Sequence, residues 1–192
     1  MRRISHHLIF DMKQVLDDYT ILIEKYIKKD PGFYSGSEMW LEKAGLVLKK
    51  FNLIEHSSFA KLRGQIKIIR KKPGLSNLDN KEVPYARKSE KTLQCFHLIN
   101  QGQDLIKKVF FSENEKTEKA EGIISQILIL ALQKGIIDLH ALKERTPDMV
   151  ESAWQKISLE EGFLSAIYQV KNLISRVDIV ILLDKLIDNF LE

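Results

Sequence analysis

The chain reads as an all-α protein, a bundle of about six to eight helices interrupted by one long basic loop. Three observations predict this class. Apolar residues recur at spacings of three and four along most of the chain, and only nine Gly and four Pro interrupt its 192 residues. An apolar fraction of 44% beside 29% charged residues is that of a chain able to form a globular core. The length suits one domain, residues 1–192. The pattern also marks a sub-division into N-terminal helices over 1–72, the basic loop over 73–89 and C-terminal helices over 90–192.

Leu8, Met12, Val15, Tyr19, Leu22 and Tyr26 stand four, three, four, three and four residues apart, which predicts a helix of about 25 residues with one buried face. It should stop near Asp30, Pro31 and Gly32, because Pro cannot continue a helix and Gly tolerates the reversed backbone that ends one. Ser35 and Glu38 have capping-box spacing, and Trp40, Ala44, Val47, Phe51 and Ile54 carry the next stripe. Two such stripes in succession predict an antiparallel pair. Ser57 or Ser58 offers the next start, with Phe59, Leu62, Ile66 and Ile69 at helical spacing.

From Lys72 to Ser89 the periodicity stops, and the Pro, Gly, Asn and Asp content is that of an exposed loop. Cys95, Leu98, Ile99, Leu105, Ile106, Val109 and Phe110 resume the helical stripe, which Gly102 weakens by roughly 1 kcal/mol relative to Ala. Ser112 with Glu115 has capping-box spacing and predicts a new helix, apolar on nearly every side from Ile123 to Leu132 and ended by Gly135. Thr146 before Pro147 marks a further start, since Pro suits the first helical position. Ser158 with Glu161 caps the last long segment, and a second start at Ser175 with Asp178 leaves that segment open as one helix or two.

A second reading of the middle of the chain keeps β structure open. QIKIIRKK and TLQCFHLI are short and rich in branched or aromatic residues, so residues 65–71 and 92–99 suit the two strands of a β-hairpin wing. The following FHLINQGQDLIKK is similar, over about ten residues, to the Leu, Thr, two residues, Gly pattern after the wing of several winged-helix repressor families. Leu98, Asn100 and Gly102 stand in the matching places. The resemblance implies a DNA-reading fold.

Charge is unevenly distributed. Residues 1–100 carry 19 Lys and Arg against 11 Asp and Glu, a net of +8, while residues 101–192 carry 11 against 15, a net of −4. Ten basic residues and three acids fall between Lys61 and Lys91, a net of +7 that exceeds the +4 of the whole chain. A local concentration of this kind is the electrostatic footprint of a polyanion site. The expected function is therefore that of a non-catalytic regulatory or scaffolding protein that contacts DNA or RNA phosphates through segment 61–91. The candidate contacts are Lys61, Arg63, Lys67, Arg70, Lys71, Lys72, Lys81, Arg87, Lys88 and Lys91. The alternative is a helical adaptor or self-associating module, with a protein partner or a second copy and no nucleic-acid role.

The chemistry-bearing residues suggest neither an enzyme nor a cofactor. The five histidines, His6, His7, His56, His97 and His140, lack metal-ligand spacing. His7 and Asp11 stand one helical turn apart but make only two ligands. Cys95 is the one cysteine, so no internal disulfide forms, and on a helix it points away from His97. The carboxylate pair Asp184 and Asp188 has the spacing of an exposed helix face. Asp11 and Lys13 interrupt any N-terminal signal core, and IISQILILALQKGII is too short and polar to span a bilayer. A cytoplasmic protein without a membrane partner is expected.

Overall fold

The computed structural model describes residues 4–71 and 84–191, with the backbone alone for 84–89. The protein is all-α. Its helices are α1 (Ser5–Ile27), α2 (Phe33–Lys50), α3 (His56–Lys71), α4 (Pro84–Gln133), α5 (Pro147–Ser158), α6 (Leu164–Leu173) and α7 (Arg176–Leu191). No strand occurs among the described residues. Residues 65–71 and 92–99, the two strands of the wing alternative, lie instead within α3 and α4. Burial decides against the β-propensity of the isoleucines: Leu62 with Ile66, and Cys95 with Ile99, are buried at helical spacing.

Two further boundaries differ from the sequence pattern. Pro84 to Ser89 are the first residues of α4 and not the end of a loop, because Pro is accommodated in a first helical turn. Ser112 lies inside the 50-residue α4 and starts nothing. Through that stretch Lys119 pairs with Glu115 and Asn114 bonds to Glu118 one turn on, which supports a continuous helix. The segment Ile123–Leu132 is also less central than its composition implies, since Ile129 and Leu130 are exposed.

The chain forms two compact units, residues 8–111 and residues 1–7 with 112–192, each with its own apolar core. In the first, α1 and α2 are antiparallel: Lys43 reaches Asp18 at 2.5 Å and Lys50 reaches Asp11 at 2.8 Å. The turn between them follows the expected stop, with Lys29 at φ 54° and the Asp30 carboxylate accepting the Gly32 N–H at 2.7 Å. Helix α2 therefore opens at Phe33, two residues before Ser35. Trp40 donates its indole N–H to the Val15 carbonyl at 2.8 Å. Gly102 of α4 sits against the same ring, where an added Cβ would lie 2.9 Å from Trp40 and 3.0 Å from Leu41. The glycine that weakens the α4 stripe is what lets α4 approach α2.

In the second unit, Ile124, Leu128 and Ala131 of α4 pack with Trp154 and Ile157 of α5, Ile167 and Val170 of α6, and Leu183 and Ile187 of α7. Gly135, at φ +69°, ends α4, and Thr146 caps α5 with Pro147 behind it. Ser175 and Asp178 form the predicted capping box of α7: the Asp178 N–H donates to Ser175 Oγ at 3.2 Å and the Ser175 N–H donates to the Asp178 carboxylate at 3.2 Å.

Candidate nucleic-acid interface

Five of the ten candidate cations, Lys61, Arg63, Lys67, Arg70 and Lys71, lie on α3, and Lys91 lies on α4. Arg87 and Lys88 fall on the part of α4 described by its backbone alone, and Lys72 and Lys81 lie outside the described residues.

Helix α3 turns its Phe59, Leu62 and Ile66 side into the core. At about 100° per residue, Lys61, Lys67 and Lys71 fall within an arc of about 120° centred opposite that side, while Arg63 and Arg70 fall on one flank. The flank faces α2. Arg63 Nη1 donates to Glu42 at 2.7 Å, and Arg70 Nη1 approaches Glu38 at 3.4 Å. Both arginines therefore cross-link α3 to α2, and the acids that hold them come from a helix whose relation to α3 no local pattern discloses. Lys91 is half-buried and already interacts with its neighbours.

Lys61, Lys67 and Lys71 remain. All three are exposed and make no ion pair among the described residues. Ile68, 57% exposed, sits among them on the outer arc. Ammonium groups on flexible stems act on a phosphate as point charges, whereas the guanidinium groups of Arg63 and Arg70 each already have one Nη1 directed to a carboxylate of α2.

The groups singled out for chemistry are dispersed. Asp11 pairs with Lys50, and no cluster of three His, Cys, Asp or Glu side chains suited to a metal occurs among the described residues. Cys95 is buried. Burial pushes its thiol above the ordinary value against a lowering hydrogen bond from Ser37, which is the environment of an inert cysteine. Asp184 and Asp188 stand on an exposed face of α7, as their spacing predicts, and there hold Arg145 at 2.6 and 2.7 Å. No helix among the described residues is long and apolar enough to cross a membrane.

No family model matches the chain, and no curated protein or solved structure matches it.

Proposed function

We propose that the protein is a non-catalytic regulatory or scaffolding component that contacts the phosphates of a nucleic acid through the outer face of α3. The observation that supports this reading is the arc of Lys61, Lys67 and Lys71, which are exposed and without an acidic partner among the described residues. Contacts from lysines to phosphates draw their free energy from released counterions and need no base-reading geometry, so the expected binding is independent of sequence.

The test is the triple reversal Lys61→Glu, Lys67→Glu, Lys71→Glu, titrated with labelled DNA and RNA. Arg63 and Arg70 are left intact, because reversing them would set like charges against Glu42 and Glu38 and disturb the α2–α3 contact as well as any ligand contact. The triple variant should keep its helical content and lose binding. Unchanged binding would remove the α3 face from consideration.

A further inference from the structure

The unit formed by residues 1–7 and 112–192 holds a depression of about 650 Å³, lined by the C-terminal end of α5 and by the turn between α6 and α7. That volume lies in the range of small-molecule sites. Trp154, Ile174 and Ile179 give it a buried apolar floor, and Leu159 and Val177, 83% and 42% exposed, carry the apolar surface out to the rim. No Asp or Glu lines it, although residues 101–192 carry a net charge of −4.

Two polar groups of the lining are unengaged. Ser158 is the last residue of α5 and not the cap of the segment after it, and its hydroxyl oxygen is buried with no hydrogen-bond partner among the described residues. A buried hydroxyl left unpaired costs free energy, so it marks a place where a bound group would supply the missing bond. Lys171, exposed near the end of α6, makes no ion pair among the described residues. The remaining charge and hydroxyl are already engaged: Arg176 pairs with Glu151, and the Ser175 hydroxyl donates to Asp178.

We infer that this depression binds a small monocarboxylate with an aliphatic body. The body covers Trp154, Ile174 and Ile179, and the carboxylate takes the Lys171 ammonium, brought to it on a flexible stem, and the Ser158 hydroxyl. Both unengaged groups donate hydrogen bonds, which calls for an acceptor, and a single unpaired cation calls for a single negative charge. The site shares no residue with the α3 face, so it stands or fails apart from nucleic-acid binding.

Isothermal titration calorimetry of the full chain with octanoate, 1-octanol and octylammonium, each below its aggregation concentration, is the experiment. Saturable one-to-one binding of octanoate is expected, with octanol about tenfold weaker and octylammonium weaker still. Lys171→Glu, at an exposed and unpaired position, should weaken octanoate at least tenfold and leave octanol unchanged. Ser158→Ala should weaken octanoate severalfold without lowering the denaturation midpoint of the unliganded chain, because it removes an unpaired hydroxyl and no bond. The inference is overturned by the lack of saturable octanoate binding, by equal binding of the three probes, or by either variant binding octanoate as wild type does.

Discussion

The carboxylate of Asp178 accepts the backbone N–H of Ser5 at 3.0 Å across 173 positions of sequence, while also accepting the Ser175 hydroxyl at 2.6 Å. Its other oxygen accepts the His6 N–H at 2.9 Å. One side chain, 1% exposed, thus supplies acceptors at the N-termini of both α7 and α1, whose first N–H groups have no partner within their own helices.

Removing that carboxylate costs more than an ordinary cap. Asp178→Ala loses the α7 capping box, about 1 kcal/mol, and strands the Ser5 and His6 donors, so a total of about 2–5 kcal/mol is expected. Asp178→Asn, which keeps one acceptor oxygen, should fall between. Urea denaturation of the two variants beside wild type measures both.

Gly102 and Gly122, both on α4, should respond to alanine with opposite signs. Gly102→Ala improves helix propensity by up to about 1 kcal/mol but forces a Cβ into the Trp40 ring, so a net loss of about 1–3 kcal/mol is expected. A Cβ at Gly122 meets nothing within 4 Å, and Gly122→Ala should stabilise by about 0.5–1 kcal/mol. Thermal melts of the pair decide whether close packing or propensity governs each site.

Arg145 fastens the segment before α5 onto α7. Its guanidinium donates to the Asp184 carboxylate at 2.6 Å and to the Asp184 carbonyl at 2.9 Å, and pairs with Asp188 at 2.7 Å. The arginine side chain is 9% exposed while both acids are largely open to solvent, which lowers the value of the charge component. Arg145→Ala should therefore destabilise by about 1–3 kcal/mol, and Arg145→Lys should recover only part of it, because an ammonium cannot reproduce the fork. Denaturant midpoints test this.

Alkali should weaken the unit formed by residues 8–111. Burial, with a smaller contribution from the negative charge of Asp104, raises the Tyr19 phenol above its ordinary 10.0, and burial raises the Cys95 thiol above 9.0. A group whose folded value is raised contributes stability that is complete below its ordinary value and is lost as pH climbs through the folded one. Stability measured by urea should accordingly decline above about pH 9, and Tyr19→Phe should flatten the part of the decline above about pH 10. At neutral pH Cys95 should react with an aromatic disulfide reagent far more slowly than it does in urea.

Much of the architecture was legible because helical burial leaves a period in the sequence. The stripe of Leu8, Met12, Val15 and Leu22, the stop at Asp30 to Gly32, the Gly135 terminus, the Thr146–Pro147 start and the Ser175–Asp178 box all depend on residues close in sequence. The errors arose where one local signal has two readings. Pro84 serves a loop or a first helical turn, and Ser112 serves a cap or an exposed helical position, whereas the helical spacing of Phe59, Leu62 and Ile66 held against the strand alternative for residues 65–71. The candidate site was legible as a charge excess, but which of its cations are ion-paired was not. Glu38 and Glu42, which neutralise Arg70 and Arg63, come from a different helix. Nor does any local pattern join Ser5 to Asp178, whose contact exists only once α1 and α7 are both in place.

The most direct test of the central claim is fluorescence anisotropy of labelled duplex DNA with the full chain over a salt series. Three lysines each displacing one counterion predict that the logarithm of the binding constant falls with the logarithm of salt at a slope of about −2.7, and that the Lys61, Lys67, Lys71 reversal abolishes binding. A slope near zero, or a triple variant that binds as wild type does, would contradict the assignment of the α3 face.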